Sequence, residues 1–82
     1  MNQAEKRIGA VIILIGPEAD PGRINRVISD HAGVVLGRQG IPLRDRDTNV
    51  ISLVLEGDTD NIGSLTGKLG RMPGVKVKAI LV

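Results

Sequence analysis

The 82-residue chain carries 11 Lys and Arg against 9 Asp and Glu, a net charge of +2, and contains no Cys, Phe, Tyr or Trp. The absence of Cys excludes disulfides, iron–sulfur clusters and thiol chemistry, and the absence of aromatics excludes a base-stacking surface for RNA. A single His cannot build a multi-histidine metal site within one chain, and the small net charge indicates no polyanionic partner. We therefore expect no metal, no other cofactor and no nucleic-acid partner.

Hydrophobic residues make up 41% of the chain, which indicates one globular domain over residues 1–82. A domain of this size buries only about 60% of its unfolded surface, so we expect a homo-oligomer, either a dimer or a tetramer. The longest apolar run, Ala10 to Ile15, is too short to cross a membrane, and the polar N-terminus does not resemble a signal peptide. These features predict a cytoplasmic protein with no membrane partner.

The first half of the chain is predicted to form a strand, a helix and a second strand. A β-branched apolar run predicts the first strand over Arg7 to Ile15. Asp20 is predicted to cap a helix that begins at Pro21 and ends where Gly33 adopts the left-handed conformation. The second strand follows over Val34 to Ile41.

The second half of the chain repeats this pattern, because an offset of 41 residues superimposes the glycines and apolar positions of 1–41 on those of 42–82. A polar turn over Pro42 to Thr48 leads into a third strand, Asn49 to Glu56. A second helix, capped by Asp58 or Thr59, precedes a last strand that starts at Val75. The order βαββαβ predicts an α+β, ferredoxin-like sandwich with a four-stranded antiparallel sheet, two helices on one face and the first and third strands central.

This fold leaves one face of the sheet without helices. The repeat alignment predicts that Ala10, Ile12 and Leu14 face the helices, because it superimposes them on the alternating apolar residues Ile51, Leu53 and Leu55 of the third strand. An uncovered aliphatic face usually contacts another protein. The predicted oligomer interface consists of Val11, Ile13, Ile15, Val50 and Val54.

Two segments are candidates for a ligand site, and no catalytic constellation is present. A glycine-containing turn before a helix N-terminus favours anions, and two glycines within a strand indicate a bulge or a close approach by another backbone. The candidate ligand-binding residues are Asp20, Pro21, Gly22, Arg23, Gly37, Arg38 and Gly40. In the alternative interpretation, Asp20 itself occupies the free N–H groups and the first segment is a capped turn without a ligand.

His31 is the only residue whose ordinary titration range lies near neutral pH. Its position near the end of the first helix predicts a contact with the terminal carbonyl groups. The alternative is a single metal ligand per subunit, completed across an oligomer interface.

Several motifs carry a resemblance to known families. Asp20-Pro21-Gly22 at the start of the first helix resembles ACT domains, which bind small regulatory ligands, frequently amino acids, between subunits. Over nearly the whole chain the sequence is similar to the small iron-only hydrogenase system regulator family. The segments Lys6 to Gly9 and Gly37 to Pro42 carry this similarity, and Gly63 to Arg71 is its most specific part.

The resemblance implies a non-enzymatic, ACT-like regulatory domain that binds a small effector at a subunit interface. It also implies a protein partner in hydrogenase maturation or its regulation. The alternative is a structural or adaptor oligomer that recruits a partner protein without any metabolite ligand. Members of the family are similar to the ligand-sensing domain of the nickel-responsive regulator, but this chain, with one His and no Cys, lacks that domain's nickel ligands.

Overall fold

Six regular elements make up the domain, and a computed structural model describes them over residues 5–82. They are β1 (Arg7–Ile15), α1 (Pro21–Asp30), β2 (Val35–Leu43), β3 (Thr48–Gly57), α2 (Thr59–Gly70) and β4 (Val75–Leu81). The strands form one antiparallel sheet in the order β2-β3-β1-β4, so the first and third strands are central. The predicted ferredoxin-like βαββαβ fold is confirmed. No helix among the described residues has the length and apolar character needed to span a bilayer.

Each helix begins next to an aspartate that caps it. Asp20 Oδ1 accepts a hydrogen bond from the backbone N–H of Arg23 at 3.2 Å, and Asp58 Oδ1 accepts one from Asn61 N–H at 2.7 Å. These bonds satisfy N–H groups that have no partner within the helix. Asp58, rather than Thr59, is therefore the cap of α2.

The end of α1 differs from the prediction. The helix ends at Asp30, and Ala32–Val34 forms a 3₁₀ turn in which Gly33 does not adopt a positive φ. The cause is His31, whose backbone N–H bonds to Ile28 O at 3.1 Å and whose ring Nδ1 lies 2.8 Å from Val27 O. A side chain and a 3₁₀ turn thus satisfy the terminal carbonyls, and a left-handed glycine is not needed.

The helices cover one face of the sheet and enclose an aliphatic core. In β1 the core residues are Val11, Ile13 and Ile15, and Ile13 is fully buried. The remaining core residues come from both helices and the other strands: Ile24, Ile28, Ile51, Leu53, Leu55, Ile62, Leu65, Leu69, Met72 and Val75.

The prediction that Val11, Ile13 and Ile15 form an oligomer interface is therefore wrong, because these side chains pack inside their own domain. The error comes from the two strand–helix connections. Residues 16–20 join β1 to α1, whereas Asp58 alone joins β3 to α2. A constant offset of 41 aligns the helices but shifts β1 by one residue, and a one-residue shift exchanges the two faces of a strand.

The face without helices is called the open face below. Its central register pairs Ala10 with Val54, Ile12 with Ser52 and Leu14 with Val50. Val50 and Val54 thus lie on the open face, as predicted. Ile12, on the same face, is 47% exposed. Around these central positions lie further aliphatic side chains and two lysines of β4: Ile8, Ile41, Ile80, Lys76 and Lys78.

Two backbone hydrogen bonds connect distant parts of the chain. Gly16 N–H donates to Gly74 O at 2.8 Å, which joins the end of β1 to the turn before β4. Val82 N–H donates to Ile8 O, also at 2.8 Å, so the last residue lies beside the start of β1. The two bonds lie at opposite ends of the sheet.

Candidate functional site

A groove with a volume of about 360 Å³ lies between the first turn of α1 and the end of the β2–β3 hairpin. It is called the α1–β2 groove below. Most of its walls are aliphatic, and its polar side chains are two amides and one guanidinium. The lining residues are Ile15, Pro21, Ile24, Asn25, Arg38, Gly40, Ile41, Pro42, Asn49, Val50 and Ile51.

The groove exists because β2 is incompletely covered on the helix side. Arg38 and Gly40 pair with Leu53 and Ile51, whose side chains lie under the helices, so this part of β2 faces the same way. A Cβ placed on Gly40 would meet no heavy atom within 4 Å. The strand therefore leaves open space where a larger side chain would otherwise stand.

Among residues 5–82, Arg38 is the only charged residue that lines the groove. Its Nη2 donates to Asn25 Oδ1 at 2.5 Å, which fixes the guanidinium between β2 and α1. An arginine offers five N–H donors, and one amide oxygen satisfies only part of this capacity. The groove thus combines an aliphatic lining with one positioned cation.

The structure brings together three of the seven residues that the sequence suggested for ligand binding. Pro21, Arg38 and Gly40 line the α1–β2 groove, although they come from separate segments. Gly37 pairs with Val54 and so belongs to the open face.

The other three candidates, Asp20, Gly22 and Arg23, lie at the start of α1 and do not line the groove. Asp20 occupies the N–H of Arg23, and Pro21 has no N–H to offer. Asp20 thus caps this turn, as the alternative interpretation predicts, and the positive charge of the groove comes from Arg38 rather than from the helix terminus.

Two groove residues, Asn25 and Asn49, were missed in the sequence. Asn25 lies four residues after Pro21, and this spacing places both on one face of α1, so helical periodicity would have found it. Asn49 enters the groove because it pairs with Pro42 across the hairpin. That register depends on the turn and is not readable from residue types alone.

A comparison with known proteins places the chain in a family. The sequence model described as "TM1266-like: Iron-only hydrogenase system regulator, putative" matches residues 7–79. The chain belongs to the TM1266-like family. This description is that of a regulator of the iron-only hydrogenase system.

Solved structures support the same assignment. The uncharacterized protein TM1266 from Thermotoga maritima is 35% identical to this TM1266-like chain, with a TM-score of 0.90 over 95% of this chain and 99% of that one. The C-terminal domain of the MgtC protein from Mycobacterium tuberculosis is 17% identical, with a TM-score of 0.72 over 100% and 94% of the two chains. At that identity the second likeness concerns the fold alone. No curated protein matches the sequence.

His31 bridges the two helices of this TM1266-like domain. Its Nδ1 donates to Val27 O at 2.8 Å, and its Nε2 lies 3.4 Å from Ser64 Oγ of α2. The prediction of a helix-end contact is confirmed. Among residues 5–82, no three His, Cys, Asp or Glu side chains lie close enough together to hold a metal ion.

A second groove, of about 390 Å³, lies at the same end of the sheet, where β1, the β1–α1 connection, the β2–β3 turn and β4 meet. It differs from the α1–β2 groove in its charge. Glu18 lines it together with Arg46 and Lys76, so both signs are present. This second groove, called the mixed-charge groove, thus offers both positive and negative side chains to a ligand, whereas the α1–β2 groove offers only a positive one.

Proposed function

We propose that this chain is a non-enzymatic regulatory domain of the iron-only hydrogenase system that binds a small effector in the α1–β2 groove. We further propose that it associates with a second copy through the open face. The observation that carries the first part is the groove itself, with aliphatic walls and a single positioned cation, Arg38. Family membership supports the regulatory role.

The dimensions and lining of the groove support ligand binding. Small-molecule sites are typically clefts of roughly 300–1,000 Å³ with apolar walls and a few placed polar groups. The α1–β2 groove, at about 360 Å³, combines aliphatic walls with Asn25, Arg38 and Asn49 in this way. All of these residues belong to one chain, whereas the sequence predicts a site between subunits.

The same hairpin links the groove to the open face. Ile41 and Val50 line the groove and also pair with each other on the open side of the sheet. A molecule that orders this end of β2 and β3 would therefore also order part of the surface proposed for association. This shared segment gives effector binding a physical route to a change in assembly.

Filling the groove tests the proposed site. Gly40→Val adds a side chain into open space and is expected to abolish any rise in Tm caused by a bound small molecule, while the domain stays folded. A thermal-shift panel of amino acids, short carboxylates, nucleoside phosphates and inorganic phosphate supplies the probes. A compound at ten times its Kd stabilises by about 1.4 kcal/mol, a shift of roughly 6–11 °C for a domain of this size.

Gly37→Val is the matched control, because it makes the same change on the same strand but on the open face, also without a steric neighbour. Gly37→Val is expected to show the same ligand-induced rise in Tm as the wild type. A panel that leaves Tm unchanged throughout would overturn the effector-binding proposal, and a shift that survives in Gly40→Val would place the site elsewhere.

The open face provides the proposed surface for self-association. It exposes aliphatic side chains on all four strands, including Ile12, Val54 and Ile80 at 47%, 47% and 68%. Ser52 and Lys78 flank Ile12 across the sheet, so the face combines exposed aliphatic side chains with a few polar ones. Exposed apolar patches rimmed by polar residues often mark sites of protein contact. A second copy would cover it with an equally aliphatic surface.

Ile12→Asp is expected to convert the oligomer into a folded monomer, because a carboxylate in the middle of the open face would have to be desolvated on association. Sedimentation velocity measures the result. Ser29→Asp introduces the same side chain at an exposed position of α1 and is expected to leave the assembly intact. A wild-type chain that sediments as a monomer at high concentration would contradict the proposal.

The open face also favours a second candidate function, an adaptor that docks a partner protein without a metabolite. The thermal-shift panel distinguishes the regulatory domain from the adaptor, because only the regulatory domain is expected to gain stability from a small molecule. Assembly that depends on Ile12, together with a panel in which no compound changes Tm, would support the adaptor.

A further inference from the structure

The charge of the α1–β2 groove is of one sign. Among its lining residues in the described part of the chain, Arg38 carries a positive charge and none is acidic. The remaining polar side chains, Asn25 and Asn49, are neutral. A ligand that enters the groove therefore meets a positive potential without a compensating carboxylate.

The guanidinium of Arg38 is oriented for an anion. Asn25 Oδ1 accepts from Nη2 and so holds the side chain against α1, while the other N–H groups of the fork remain to donate. The planar fork matches the two oxygens of a carboxylate.

The apolar walls of the groove determine which kind of ligand body fits beside the carboxylate. Ile15, Ile24 and Ile51 belong to the aliphatic core and also line the groove, where Pro21 and Pro42 extend the apolar surface. The chain has no aromatic side chain on which a nucleobase could stack. A phosphate dianion would meet only one cation, so the lining favours a monoanion with a compact aliphatic body.

We infer that the α1–β2 groove takes an aliphatic monocarboxylate and discriminates against the corresponding amino acid; this inference rests on the proposed function. The carboxylate binds Arg38, and a branched hydrocarbon body covers the isoleucine walls. An α-ammonium group on the same ligand would lie close to the Arg38 guanidinium, and no carboxylate among the lining residues offsets this repulsion between like charges. The mixed-charge groove, with Glu18 beside Arg46 and Lys76, has the counter-charges that a zwitterion needs, whereas the α1–β2 groove does not.

Three probes of nearly identical shape test the inference by calorimetry on the full chain. They are 4-methylpentanoate, leucine (the same acid with an α-ammonium group) and 4-methylpentan-1-ol (the same body without the carboxylate). The acid is expected to bind at least tenfold more tightly than either of the other two. Arg38→Gln is expected to weaken binding of the acid at least tenfold and to leave the alcohol unchanged.

Arg23→Gln removes an arginine that does not line the groove, and it is expected to bind all three probes as the wild type does. Arg38→Lys keeps the charge and loses the fork, so its affinity for the acid is expected to lie between those of wild type and Arg38→Gln. Leucine that binds as tightly as 4-methylpentanoate and loses this binding in Gly40→Val would overturn the inference, as would acid binding that Arg38→Gln leaves unchanged.

Different experimental results overturn the proposed function and the inference. If all three probes fail but another compound of the panel raises Tm and loses its effect in Gly40→Val, the inference is overturned and the effector site stands. If Gly40→Val abolishes the binding of no compound in the panel, both the effector site and the inference are overturned. Leucine binding that Gly40→Val leaves unchanged takes place at another site, such as the mixed-charge groove, and agrees with the inferred discrimination at the α1–β2 groove.

Discussion

Ile13→Asp is expected to leave the chain unfolded, whereas Ile12→Asp, one residue away, is expected to leave it folded. Ile13 is fully buried in the core between the sheet and the helices, and Ile12 is 47% exposed on the open face. An unpaired carboxylate in an aliphatic core costs several kcal/mol. A small domain has about 5 kcal/mol of stability or little more, so one such change removes most of it.

Far-UV circular dichroism with a urea titration measures this difference, since the chain has no Trp or Tyr for fluorescence. The pair is matched in residue type, in substitution and in strand. Equal urea midpoints for Ile12→Asp and Ile13→Asp would mean that β1 does not have the two faces described above.

Gly74→Ala is expected to destabilise the domain by about 2 kcal/mol or more, which corresponds to a drop in Tm of at least 8 °C. Gly74 has a φ of 75°, a conformation that L side chains rarely adopt. An added Cβ would also lie 2.8 Å from Glu18 Cγ and 2.9 Å from the backbone N of Ala19. The backbone has little freedom to relax, because Gly74 O accepts the hydrogen bond from Gly16 N–H.

Gly63→Ala is the control for this change. Gly63 lies within α2, and a Cβ there would meet no heavy atom within 4 Å. The substitution is expected to raise stability by about 0.5–1 kcal/mol, because alanine loses less backbone entropy than glycine in a helix. Thermal melts of the two variants should therefore shift in opposite directions; a Gly74→Ala variant as stable as the wild type would contradict the steric argument.

The fold was predictable because several local signals agree. Asp20 before Pro21, the glycine at 57 and the alternation of apolar residues in β3 each mark an element boundary or a buried face. In β1, by contrast, every residue from Ala10 to Ile15 is apolar, so the strand carries no alternation of its own. Its orientation was then inferred from the repeat, and the unequal connections to the helices made that inference wrong by one residue.

The candidate site was predictable only in part, for a related reason. Residue type alone indicated this part of β2, since Gly37 and Gly40 are two glycines within one strand and Arg38 lies between them. The contact between Arg38 and Asn25 depends on how α1 packs over β2. The position of Asn49 in the groove depends on the register of the hairpin. Both are properties of packing rather than of local sequence.

The hydrogen bond from Val82 to Ile8 has a practical consequence for all of these measurements. It places the start of β1 and the end of β4 side by side, at the end of the sheet away from Ile15 and the α1–β2 groove. A nine-residue strand spans about 30 Å, so an affinity tag or surface tether that follows Val82 would stand roughly that far from the groove. A chain immobilised through this end would thus present its groove away from the surface.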